Sequence, residues 1–270
     1  MSKYSFKGIL IASLKCVLYY GAWFLMSFVA TYIITLLIQL TSKPATKEEL
    51  TALVESKSVI IAVFSNALSI VGFAIFYSKI RNTTLFERAE IRPTSFKVGL
   101  NSATLGISSQ IVIILILNSL LKVIPKSWQD MLSDQNAPIL NVSMAMQIVY
   151  TVIMAPLLEE ILFRGLMLGA LKKEMPSWVA IAISALAFGV AHGNPIGIIY
   201  ATLFGVLLGW VFIRTKSILP CIILHMGFNA TALACEGGIP YIIVILAIPV
   251  AIYGIVSIYK NTKENEGDNK

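Results

Sequence analysis

The sequence predicts an all-α fold, a polytopic membrane bundle of about eight transmembrane helices, and three observations carry that expectation. Apolar residues make up 57% of the chain and charged residues only 13%, against about 25% charged in an average soluble domain. The apolar residues gather into eight runs, 16–40, 58–78, 98–121, 145–171, 177–192, 196–213, 218–234 and 239–258, most of them near the ~20 residues a helix needs to cross a bilayer core. The positive charge is one-sided: of 21 lysines and arginines, Arg164 lies inside a run, Lys43, Lys47, Lys57, Lys122 and Lys126 fall in loops on one side, and the rest fall on the other. Basic loops stay in the cytoplasm, so both termini are expected there, in a bacterial cell membrane. The net charge of +7 is thus a topology signal, open to a contribution from anionic headgroups. The lipid bilayer is the expected partner, and no nucleic acid is.

Residues 1–121 hold the first three runs, whose middles carry no ionisable group, and a scaffold role is expected of them. The first run is long and lacks a small-residue cleavage pattern, so it is expected to remain as an anchor. The cytoplasmic loop 79–97 alternates apolar and charged residues around Phe86-Glu87-Arg88, which suits a short interfacial helix. An outer loop spans 122–144, with Trp128 as a headgroup-level anchor. The core of interest is 145–235, followed by a last transmembrane helix at 236–258 and a cytoplasmic tail at 259–270, whose polar stretch from Asn261 to Lys270 is expected to be disordered. The fifth and seventh runs are short, as helices that stop inside the protein would be. Cys16, Cys221 and Cys235 lack CxxC spacing and an even count, so they are read as packing residues rather than a zinc knuckle or a disulfide framework.

Within the fourth run, Pro156-Leu157-Leu158-Glu159-Glu160-Ile161-Leu162-Phe163-Arg164-Gly165 sets two carboxylates and a guanidinium in apolar surroundings. Ionised groups at that depth cost roughly 2.5–3.5 kcal/mol each on insertion scales, so they should face the bundle interior and find partners. Neighbouring residues point ~100° apart, so Glu159 and Glu160 diverge while Glu160 and Arg164 share a face. One carboxylate is then held and the other is free for chemistry, unless all three serve only as a structural ion cluster. Pro156 lacks a donor and frees the carbonyl of Val152, a cause of kinking beside the carboxylates.

Polar residues reappear in spaced pairs further on. Phe188 and His192 lie at i, i+4 before Gly193-Asn194-Pro195 stops the helix, and His225 and Asn229 lie at i, i+4 after Pro220. These are the chain's two histidines. At ~1.5 Å per residue, Glu159, His192, His225 and Asn229 lie roughly 18, 22, 10 and 16 Å from the cytoplasmic ends of their runs, within reach of one cavity that opens inward. Gly165/Gly169 and Gly205/Gly209 are small-xxx-small pairs that suit close helix packing around it.

Glu159-Glu160-x-x-x-Arg164, Phe188-x-x-x-His192 and His225-x-x-x-Asn229, in this order on successive membrane helices, resemble the CPBP family (CAAX protease and bacteriocin-processing) of intramembrane proteases over about residues 100–235. The resemblance implies an intramembrane endopeptidase acting on a membrane-associated protein or peptide, in CAAX-type processing, bacteriocin or signal-peptide maturation, or self-immunity. It implies Glu159 as catalytic carboxylate, His192 as its partner in activating water, and His225 with Asn229 facing the oxyanion, with Glu160, Arg164 and Phe188 in support. The residues alone leave the mechanism open. Amide hydrolysis needs a base near the operating pH and donors aimed at the tetrahedral oxygen, which carboxylate, imidazole and carboxamide supply. There is no Gly-x-Ser-x-Gly elbow and no HExxH, yet His192, His225 and Glu159 are three side chains that could ligate zinc or another divalent metal, with a second glutamate as base. Two other readings stand beside the enzyme: a proton-coupled transporter, since intramembrane Glu, Arg and His also mark ion pathways, and a noncatalytic immunity or binding protein.

Overall fold

A computed structural model describes residues 4–120, 122–235 and 241–267. The described residues form eleven helices and no strand. Six helices are long and apolar enough to cross a membrane, and two shorter apolar helices, Ser177–Val190 and Leu219–Ala234, lie at the fifth and seventh runs.

Helix α1 (Phe6–Ser42) begins ten residues before the expected run, capped by Ser5, whose hydroxyl accepts the Gly8 N–H at 3.0 Å. Nothing between Phe6 and Cys16 breaks a helix, and its 37 residues reach about 55 Å, well beyond a ~30 Å hydrocarbon core. Helix α2 (Lys47–Ser56) is short and capped by Thr46, and α3 (Ser58–Ile80) returns across the bundle. The loop that follows forms α4 (Leu85–Arg88), a single turn closed by a reciprocal cap between Thr84 and Glu87. The Thr84 backbone N–H, then the Thr83 and Thr84 hydroxyls, hold the Glu87 carboxyl below its ordinary range. This turn is not merely laid on the interface: Leu85 and Ala89 are buried, and a side chain on Gly165 would run into Ala89.

Helix α5 (Phe96–Leu120) leads to α6 (Lys126–Leu140), so most of the expected outer loop is helical, with Pro138 inside it. Helix α7 (Met144–Leu171) is the axis of the molecule, with every residue from Glu160 to Leu171 buried. Helix α8 (Ser177–Val190) stops short and turns at Gly193, whose φ of +74° suits a residue without Cβ. Asn194 then caps α9 (Pro195–Thr215), accepting the Gly197 N–H at 2.7 Å. Helices α10 (Leu219–Ala234) and α11 (Tyr241–Gly267) complete the bundle.

Helix α11 runs through residues 261–267, where the polar composition had suggested a disordered tail; neither proline nor glycine interrupts Asn261–Glu266, and lysine and glutamate are good helix formers. Residues 236–240 and 268–270, at the start of the last expected helix and the end of the tail, lie outside the described residues. The close helix contacts are only partly those of the glycine pairs. Gly205 and Gly209 abut Ala185 and Ile181, joining α9 to α8, but Gly165 seats the α4 turn and Gly169 has no neighbour nearer than 3.6 Å. Helices α5 and α10 also approach closely, with Gly106 facing the Leu224 carbonyl and Gly227 facing that of Ala103. Cys221 is buried and Cys16 half-buried, both as free thiols in packed surroundings. Large apolar side chains such as Phe28 and Ile252 form an exposed outer belt, the surface a lipid-embedded protein presents.

Candidate active site

The site begins with an irregularity in α7. Its hydrogen bonding is π-helical over Ile148–Met154, α-helical over Ala155–Glu159 and π-helical again over Glu160–Leu168. The Ala155 N–H reaches back five residues to the Tyr150 carbonyl, and Pro156 has no N–H to give. The carbonyl left over is therefore that of Thr151, one residue earlier than an α-helical register places it. Asn229 on α10 takes it: its Nδ2 donates to Thr151 O at 2.7 Å. A proline on one helix thus fixes a carboxamide on another.

Glu160 and Arg164 are both fully buried and paired, Nη1 to Oε1 at 3.1 Å. The guanidinium also donates Nη2 to the Gly205 carbonyl at 3.3 Å and lies 4.3 Å from the centroid of the Phe188 ring. Glu160 Oε1 meets His225 Nδ1 at 2.8 Å, and His225 Nε2 stands 3.6 Å from Glu159 Oε2. Glu159, His225, Glu160 and Arg164 therefore form one chain of charge-bearing groups that alternates in sign when His225 is protonated. Breaking a buried pair strands a charge at a cost of about 3–5 kcal/mol. The imidazole is clamped sideways as well, with Phe204 and Phe188 edge-on at 5.2 and 5.8 Å between centroids. Phe188 also contacts Phe163 and His192, at 5.2 and 4.8 Å, so this one ring touches both histidines and the arginine.

Glu159 differs from its neighbour: its side chain is 27% exposed and faces a cavity of about 540 Å³. His192, His225 and Asn229 line the same cavity, as do Phe163 and Phe188. Glu160 and Arg164 stand behind the wall. His192 Nδ1 lies 2.9 Å from the Phe188 carbonyl, which holds its proton there and leaves Nε2 for the cavity. The structure thus gathers all four candidate catalytic groups outside the buried pair into one space.

Helix α6 forms part of the wall of that space. Leu132, Gln135, Asn136, Ile139 and Leu140 of α6 wall it, with Leu117, Asn194 and Leu233, all at the end of the bundle opposite Lys172, Arg214 and Lys216. Depth counted along separate helices gave Glu159, His192, His225 and Asn229 a common level, and they do share one cavity. Residues 1–121 reach the cavity too, through Trp23, Gln110, Ile113 and Leu117. Tyr150, Thr151, Asn194 and Tyr200 also line it and carried no motif; their signal was a polar group in an apolar span, with Tyr200 and Phe204 one turn apart. Asn194 Nδ2 donates to Gln135 Oε1, tying α6 to the start of α9.

The residues do not make a preformed metal site. Among the described residues no three of His, Cys, Asp and Glu converge as a ligand set: His192 makes no close ion pair with a carboxylate, and one face of His225 is taken by Glu160. Both histidines do have an acceptor on Nδ1, the support a ligating imidazole uses, but the third ligand is not in place and no chemical step is assigned to a metal.

Residues 141–231 match the sequence model of a family described as type II CAAX prenyl endopeptidase Rce1-like. The chain is also 32% identical over 99 residues to a Bacillus subtilis (strain 168) protein named "Putative membrane peptidase YdiL", an alignment covering 36% of this chain and 41% of that protein, so less than half the relative's length is spanned. No solved structure matches. The Glu159-Glu160-x-x-x-Arg164, Phe188-x-x-x-His192 and His225-x-x-x-Asn229 motifs all lie inside the matched segment and are drawn together around one site, so it is the segment 141–231 that is similar to CAAX-type proteases of the CPBP kind.

Proposed function

We propose that the protein is an intramembrane endopeptidase in which Glu159 activates a water molecule. The observation that supports this is the contrast at one helix position: Glu159 faces the cavity, while Glu160, paired with Arg164, orients His225 toward it. The Glu159 carboxylate takes a proton from water as the water oxygen bonds to the amide carbon, and the carbonyl pair moves onto its oxygen. His225 Nε2, the imidazole nitrogen nearest Glu159, shares that proton. The resemblance gave this role to His192, which makes no ion pair with the carboxylate; in this reading it faces the oxyanion with Asn229, which lines the same cavity. One Asn229 N–H is held by Thr151, which leaves the other for the substrate. The C–N bond then breaks, and the proton passes to the leaving nitrogen.

The cavity meets α6 rather than the basic end of the bundle. With basic loops in the cytoplasm, α6 lies outside, and the substrate is a membrane-anchored or exported peptide presented from that face, not a cytoplasmic tail. Comparison of new peptide N-termini in membranes carrying wild-type or Glu159→Gln protein, at equal expression, tests the reading. Fragments that end in extracytoplasmic, membrane-proximal segments and vanish with Glu159→Gln are expected. Identical termini in both membranes would leave a binding protein instead.

A further inference from the structure

An extended peptide in an apolar environment must find partners for its own N–H and C=O groups, because no water is there to supply them. Two side chains on the cavity wall hold complementary polar atoms with nothing bound to them. Trp23 Nε1 on α1 is a donor and Gln110 Oε1 on α5 an acceptor; both atoms are buried and neither has a hydrogen-bond partner among the described residues. Gln110 is 8% exposed and sits deep in a membrane-spanning helix. Other orphaned atoms have a structural setting that these two lack. Gln147 spends its amide on the Leu140 and Val142 carbonyls, Glu160 and Arg164 belong to the buried pair, Thr202 is wedged against Gly189, and Arg214 donates to the Tyr259 carbonyl and lies over its ring. None of those five lines the cavity.

We infer that Trp23 and Gln110 form a substrate-positioning subsite that reads the backbone of an apolar, extended peptide segment, the indole N–H donating to a substrate carbonyl and the carboxamide oxygen accepting a substrate N–H. This rests on the proposed peptidase reading and adds the substrate's chemistry to it. One donor and one acceptor are the complement of a peptide unit. Beside them Ile113 and Leu117, at i+3 and i+7 from Gln110 and so on its face of α5, supply an apolar flank for the side chains. The subsite comes from α1 and α5, outside the segment 141–231 that matches the family, so the half of the chain without catalytic motifs contributes to what the site accepts.

Binding separates this subsite from catalysis. The probe is a capped apolar octapeptide bearing a benzophenone, photolabelling full-length Glu159→Gln protein in detergent and competed by its unlabelled form. A second competitor is the same peptide N-methylated along its backbone. Labelling at α5 is expected, with the methylated peptide about tenfold weaker as competitor, and Gln110→Met or Trp23→Phe each weakening the parent peptide by about tenfold at an unchanged melting temperature. In the cleaving protein the same substitutions raise KM and leave kcat. No labelling, equal competition by the methylated peptide, or variants that bind as the parent does would each overturn the inference. The methylated competitor decides even where a variant fails to fold. Binding that behaves as expected in a protein that cleaves nothing would keep the subsite and remove the peptidase reading; cleavage with no sensitivity to the backbone would do the reverse.

Discussion

Glu159 and Glu160 are adjacent, chemically identical and on one helix, yet they occupy different worlds. Glu160 is fully buried against Arg164 and His225, whereas Glu159 stands at a cavity wall with 27% of its side chain exposed. The ~100° between neighbouring positions produces the difference. One carboxylate becomes a fixed part of the architecture and the other keeps a face on the cavity. The lesson is that an intramembrane charge signals function only where its neighbours do not already satisfy it.

The largest effect that would sharpen this contrast is on activity. Glu159→Gln should lower hydrolysis by roughly 10²–10⁴-fold with the melting temperature unchanged, measured on purified protein with a cleaved peptide; near-full activity would make Glu159 a bystander. Arg164→Met attacks the other face. It strands Glu160 beside His225 and should cost about 3–5 kcal/mol, seen as loss of folded protein after detergent extraction. The double change Glu160→Gln with Arg164→Met should recover much of that loss. An Arg164→Met protein as stable as the parent would mean that the buried pair holds nothing.

A third test asks whether the contrast survives a metal. Purified protein should hold no stoichiometric zinc, and dialysis against a strong chelator should leave cleavage intact. Stoichiometric zinc, with activity lost on its removal and regained on its return, would make Glu159 or Glu160 a ligand and replace the water step drawn here. The smallest expected effect is at Asn229→Leu, which leaves the Thr151 carbonyl without its donor. It should cost about 1–3 kcal/mol of stability in thermal unfolding, and a larger share of activity if the second N–H meets the oxyanion. A loss of stability with turnover unchanged would confine Asn229 to tying α10 to α7.

The apolar runs and their lengths were legible from composition because a bilayer imposes ~20 apolar residues on anything that crosses it as a helix. So were the short fifth and seventh helices and the pairing of Glu160 with Arg164, since i, i+4 spacing alone brings those side chains together. Residues 261–267 were misread because polarity signals solvent exposure and not the loss of helix. What a one-dimensional reading could not supply is whatever depends on two helices at once. The match of Asn229 to Thr151 required the π-helical register that Pro156 permits. The placing of His225 between two glutamates required α10 to pack directly against α7. The presence of Trp23 and Gln110 on the cavity wall was decided only by tertiary packing, because sequence spacing orders side chains along one helix and says nothing of which helix faces it.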